Sequence, residues 1–171
     1  DQNGASWRLL PMNHYLYSGL AGMLLLFYEL KTAKRPQATK VYDTLKSEMF
    51  IYTENGIRSL KNLDSSKTGL YEGEGSIVYA YLCLYKRSNE QIYLRYAEKH
   101  SEIVRKLLKQ DQRYDLLSGN AGAVWSFLLL YGSTGNARFL QAGEEAIQIL
   151  LKSVEVQEQG IGWRIQEEIP P

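Results

Sequence analysis

Hydrophobic positions along the chain fall into two kinds of run that alternate. Met23 to Tyr28, Ile77 to Tyr85 and Ala123 to Tyr131 are almost wholly apolar. Between them lie segments whose apolar residues recur at helical spacing. Ile92, Tyr96, Ile103, Val104, Leu107 and Leu108 mark one face of such a helix, with Arg95, Lys99, Glu102, Arg105 and Lys106 around the rest. Ser88 or Asn89 is placed to cap its start. An earlier helix carries Val41, Leu45 and Met49, with Pro36 in its first turn. A later one opens at Asn136 and turns Phe139, Gly143, Ala146, Ile147 and Leu150 inward. A helix with no polar face must be covered on most sides, whereas an amphipathic one can face water. The alternation predicts an all-α fold with apolar helices inside and amphipathic helices outside. An α/α toroid is its simplest closed form.

The three apolar runs share a lead-in. Leu16-Tyr17-Ser18-Gly19-Leu20-Ala21-Gly22, Leu70-Tyr71-Glu72-Gly73-Glu74-Gly75-Ser76 and Leu116-Leu117-Ser118-Gly119-Asn120-Ala121-Gly122 align by eye. The leading glycine recurs after 54 residues, from 19 to 73, and again after 46, from 73 to 119. That period suits two helices and a long loop. The repeats fall near 15–52, 70–109 and 115–153, with the start of a fourth at 160–171, all in one partial domain spanning 1–171. A glycine inside a helix costs about 1 kcal/mol relative to alanine. Gly19, Gly22, Gly73, Gly119 and Gly122 therefore need a reason: tight packing at the helix starts, or lining of a substrate mouth on a shared rim.

Charge removes several function classes. Twenty Lys and Arg against nineteen Asp and Glu leave +1, without the basic footprint of a nucleic-acid binder. The longest apolar run, Leu20 to Tyr28, is far short of the ~20 residues of a membrane span. Cys83 is the one cysteine, so no internal disulfide forms and a cytoplasmic setting is the default. Cys83, His14 and His100 lack any metal-motif spacing. Cys83 reads as core, and the two histidines read as surface or loop residues. Glu72 and Glu74 flank Gly73; two residues apart they point in different directions, which suits a helix N-terminus better than an acid/base pair.

These segments resemble the lanthionine synthetase C-like family, most closely the C-terminal cyclase domain of class II lanthipeptide synthetases. Trp7 with Leu-Pro and then Leu16 to Gly22 is similar to that domain's opening. Gly73 to Tyr79 resembles its second repeat, and Tyr114-Asp115-Leu116-Leu117-Ser118-Gly119-Asn120-Ala121-Gly122 its third. Gly160-Ile161-Gly162-Trp163 resembles the lead-in to a fourth. The resemblance implies a toroid of seven inner and seven outer helices, of which this chain holds about three hairpins. It also implies a zinc enzyme in which a precursor-peptide thiol adds to dehydroalanine or dehydrobutyrine, with a dehydratase domain ahead of the cyclase.

By the same resemblance Asp115 is the one catalytic position present, acting in proton transfer or in orienting a histidine. That histidine and the three zinc ligands belong to later motifs. Zinc is thus expected in the intact enzyme and none in this fragment, which should be inactive alone. On the residues alone, Asp115 reads first as a carboxylate that caps the helix four residues before Gly119 or holds the Tyr114 loop. The position before the first Leu-Tyr, where the resemblance implies an acid, is Tyr15. A carbohydrate-active α/α barrel using Glu72 and Asp115, and a non-catalytic peptide-binding scaffold, are the alternatives. The expected partner is the precursor peptide, with neither nucleic acid nor membrane. Three hairpins leave two open flanks at Leu24, Leu25, Phe27, Trp125, Leu128 and Leu129, so the expectation is self-association, or a monomer whose terminal segments fold over the flanks.

Overall fold

The computed structural model describes residues 10–164. Trp7, and the part of the fourth repeat beyond residue 164, lie outside them. The fold is all-α: six helices pair into three hairpins, α1 (Leu20–Thr32) with α2 (Ala38–Arg58), α3 (Glu74–Ser88) with α4 (Gln91–Leu107), and α5 (Asn120–Thr134) with α6 (Ala137–Lys152). A short antiparallel hairpin of β1 (Glu155–Gln157) and β2 (Gly160–Gly162) follows. Ile161, from the segment resembling a fourth lead-in, thus lies in a strand, and Trp163 donates its indole N–H to Leu150 O at 2.8 Å.

The apolar helices α1, α3 and α5 stand side by side in that order, and the amphipathic α2, α4 and α6 lie outside them. The outer layer is tied together by ion pairs between hairpins, Lys99 with Glu54 and Arg105 with Glu145. Position in the row decides burial. The middle helix α3 buries nine residues from Glu74 to Leu84, whereas α1 buries only Ala21 and Leu24.

Repeat-equivalent positions show the two open flanks. Leu26 of α1 is 50% exposed, while its counterparts Ala80 and Ser126 are fully buried. Leu128 of α5 is 41% exposed, while its counterpart Leu82 is buried. The flanks therefore centre on Leu26 at one edge and on Trp125 and Leu128 at the other. Leu24 is not among them, because it points into the core.

Several local expectations change. Asn89 is the left-handed residue that ends α3, and Ser88 bonds back to Leu84 O, so neither caps α4 through its side chain. Pro36 lies two residues ahead of α2, behind a left-handed Gln37. Val41 and Ile147 face outward, whereas Tyr42 and Ala142 are buried. Asn136 does cap α6, accepting from Arg138 N at 3.1 Å.

With apolar burial worth about 25 cal/mol per Å², a few hundred Å² of flank puts several kcal/mol behind association. Light scattering across a concentration series should show reversible self-association that the double variant Trp125→Lys, Leu128→Lys abolishes. A parent chain monomeric at the highest concentration, without hydrophobic-dye binding, would contradict the open flanks.

Candidate functional site

Each inner helix is entered through the same turn. The first helical N–H bonds the carbonyl seven residues earlier in all three repeats: Leu20 to Asn13, Glu74 to Lys67 and Asn120 to Arg113, each at 2.9 Å. The lead-ins also bond to one another through their backbones. Tyr17 N donates to Tyr71 O, and Gly69, Leu70 and Tyr71 donate to the carbonyls of Ser118, Leu116 and Leu117 at 3.0–3.1 Å. The three helix starts therefore share one rim.

This ladder accounts for the glycines. Gly19, Gly73 and Gly119 are the N-caps of α1, α3 and α5, with extended backbone that any residue can adopt. Space is what excludes a side chain. A Cβ at Gly19 would come under 3.0 Å from Asn13, at Gly73 from Lys67 and Gly69, and at Gly119 from Arg113. At Gly22 it would meet Leu16 O, and at Gly122 the Leu70 N and Leu116 O that bond to each other there. Gly122 thus sits where the third inner helix touches the second lead-in.

Asp115 lies on this rim, exposed to solvent. Its Oδ1 accepts from Ser118 N at 2.8 Å and its Oδ2 from the Ser118 hydroxyl at 2.9 Å. Partial burial works to raise its pKa. The bonds from Ser118 and from the Leu117 N–H outweigh it and hold the carboxyl below the usual carboxylate range. Two residues before each motif glycine stand Tyr17, Tyr71 and Leu117, all exposed, so each lead-in presents a large side chain on the rim.

Beneath the rim is a buried polar cluster that the sequence reading missed. Glu74, first residue of α3, is fully buried. Its Oε1 accepts from the Tyr15 hydroxyl at 3.1 Å and the Tyr52 hydroxyl at 2.9 Å, and its Oε2 contacts His100 Nε2 at 2.8 Å. His100 Nδ1 meets Thr53 Oγ1 at 2.9 Å. His100 is therefore a core residue of α4, against the surface position expected for it. Tyr15, the departure from the acidic pattern, spans from the first lead-in to this carboxylate. His14 stacks on Tyr52 at 3.7 Å, and its N–H and ring both reach Asp64. The next repeat builds the same clamp: the Thr68 N–H and hydroxyl both donate to Asp111 Oδ2. One sequence signal could have pointed to Glu74, namely a charged residue opening an otherwise apolar helix.

Four phenols carry a consequence of this packing. Burial first, and then the Glu74 carboxylate, push the Tyr15 and Tyr52 phenols far up. Burial also raises Tyr42, which bonds Tyr93, and Tyr81. A group whose folded pKa lies above its unfolded value, about 10 for tyrosine, keeps its full stabilising contribution below that value and loses it as pH rises beyond. The chain should unfold cooperatively above about pH 10, with phenolate absorbance rising in the same step. Ionisation of all thirteen tyrosines near pH 10 with the fold intact would contradict this.

Zinc, which the fold family implies, has no place among these residues. The described residues include no group of three His, Cys, Asp or Glu able to hold a metal. His100 is engaged by Glu74 and Thr53, and His14 by Asp64. Cys83 is half-buried in α3, its thiol pushed up by burial and bonded to Tyr79. Among the described residues no helix is long and apolar enough to cross a membrane.

Parallel inner helices entering from one glycine-packed rim, with an outer helical layer, define a segment of an α/α toroid. The lanthionine synthetase C-like protein family matches residues 11–169. The chain belongs to that family, and with it goes a lanthionine-cyclase-like function on a peptide substrate. No curated protein matches the chain.

Proposed function

We propose that the chain forms the opening hairpins, and part of the substrate-facing rim, of the cyclase domain of a class II lanthipeptide synthetase. The class and the placement rest on the motifs that resemble the opening repeats of that domain. In this reading the intact enzyme adds a peptide cysteine thiol across the C=C bond of dehydroalanine or dehydrobutyrine. Sulfur bonds to the β-carbon, the α-carbon takes a proton, and the thioether ring closes with no change in mass. Residues 1–171 form one partial domain in this proposal, and the chain alone is inactive. Any zinc is held by residues other than those described.

The observation that carries the proposal is Asp115 compared with its repeat-equivalents. Tyr15 and Gly69 occupy the same place, yet all three lead-ins close with the same seven-residue bond. A carboxylate is therefore not needed to form the turn. Held ionised and exposed on the rim, it is suited to accept a proton or to orient a donor. The motif glycines line this mouth because only they let the lead-ins meet backbone to backbone.

The test uses the intact synthetase and its precursor peptide, dehydrated beforehand. Alkylation should show one free thiol lost per ring formed, at constant peptide mass. Full retention of thiols over many enzyme equivalents would overturn the proposal.

A further inference from the structure

We infer that Ser118 is a positioning residue for Asp115, fixing the direction in which its carboxylate faces the substrate. This rests on the proton-transfer reading of Asp115 above. Among the described residues Ser118 is the one that bonds that carboxylate through its side chain, and it reaches both oxygens: its backbone N–H meets Oδ1 and its hydroxyl meets Oδ2. The two contacts fix the plane of the carboxylate, on a residue that is exposed to solvent.

Ser118 is itself held from behind by the second repeat. Gly69 N donates to Ser118 O at 3.0 Å, and Glu72 N donates to the adjacent Leu117 O at 2.8 Å. The orientation of Asp115 is thereby tied to the neighbouring hairpin, the kind of rigid backing that a catalytic group requires. The other repeats show that the pairing is not a by-product of the turn. Their equivalent residues are Ser18, whose hydroxyl accepts from Asn13, and Glu72, which pairs with Lys67. Neither faces a carboxylate at the place of Asp115. Glu72 also shows that the turn forms without a hydroxyl at this position.

The experiment has two readouts. In the 171-residue chain, carbon NMR follows the Asp115 carboxyl through pH in the parent, Ser118→Ala and Ser118→Thr. A bond to the ionised form favours it. Ser118→Ala should therefore raise the midpoint by about one pH unit, and Ser118→Thr should leave it near the parent's. In the intact synthetase, with the pre-dehydrated precursor peptide, Ser118→Ala should slow ring closure about 10- to 100-fold. The acid limb of its pH–rate profile should move up, while Ser118→Thr keeps the parental profile. A purely structural serine would lower the melting temperature and leave that limb in place.

Asp115→Asn, assayed alongside, separates the two claims. If it is impaired while Ser118→Ala closes rings at the parental rate with an unmoved limb, the positioning role alone falls. If Asp115→Asn itself closes rings at the parental rate, the reading of Asp115 falls and the role of Ser118 goes with it.

Discussion

Asp115→Asn is expected to slow ring closure in the intact synthetase by about 10²- to 10⁴-fold, the usual range for a lost general acid or base, while dehydration continues. The substitution keeps shape and removes charge. Its amide oxygen can still accept from the Ser118 N–H, and its NH₂ can donate to the Ser118 hydroxyl, so both contacts of the turn survive in altered polarity. Lost stability should be small, because Asp115 is exposed and its repeat-equivalents Tyr15 and Gly69 support the same turn. Thiol counting on a pre-dehydrated peptide, beside a melting curve, separates the two roles. A variant that melts earlier yet closes rings at the parental rate would make Asp115 a cap.

Glu74→Ala should be the most destabilising single change in the buried cluster. Glu74 is fully buried and satisfies Tyr15, Tyr52 and His100 together. Truncation takes the acceptor from the Tyr52 hydroxyl and from His100 at once and leaves the Tyr15 hydroxyl only Ser65, and a buried donor left unsatisfied costs about 1–3 kcal/mol. Breaking a buried pair by removing one member typically costs about 3–5 kcal/mol. Against a total stability of about 5–15 kcal/mol this is a large share, and it corresponds to a melting temperature lower by about 6–20 °C. Tyr15, Tyr52, Glu74 and His100 come from the first two repeats, so the loss should loosen one hairpin from the other rather than a single helix. The double variant Glu74→Leu, His100→Leu should recover part of the stability, since His100 is then no longer left without its carboxylate, although the Tyr15 and Tyr52 hydroxyls still lose theirs. A single variant melting within 2 °C of the parent would show that water replaces the carboxylate at little cost.

The glycine period carried most of the fold. Inner helices begin at Leu20, Glu74 and Asn120, each immediately after a motif glycine. This was legible because close backbone approach leaves a mark on the residue type itself. Alternation of apolar and amphipathic runs likewise places inner and outer layers, since each run reports its own covering. Burial of individual outer-helix residues was less legible. Tyr42 and Ala142 are inside while Val41 and Ile147 are not, because a tyrosine with a hydroxyl partner and a small alanine suit the interior.

The polar cluster was the least legible part. His100 lies between Lys99 and Ser101 on an amphipathic helix, and nothing local distinguishes it from a surface residue. What buries it is Glu74, 26 positions away, and Thr53, 47 positions away. Asp115 was visible only through its motif, and its pairing with Ser118 only through the structure.

The bonds joining one lead-in to the next also change where the molecule should open. Loops are ordinarily the first parts of a protein to exchange their amide hydrogens with water. Here Gly69, Leu70, Tyr71 and Glu72 donate to carbonyls of the next repeat, so exposing these amides requires the second and third hairpins to part. Exchange at these loop positions should be as slow as in the core of α3. The early-exchanging seams lie at the opposite end, in turns such as the one at Gly135, whose positive φ of 68° stands in open space.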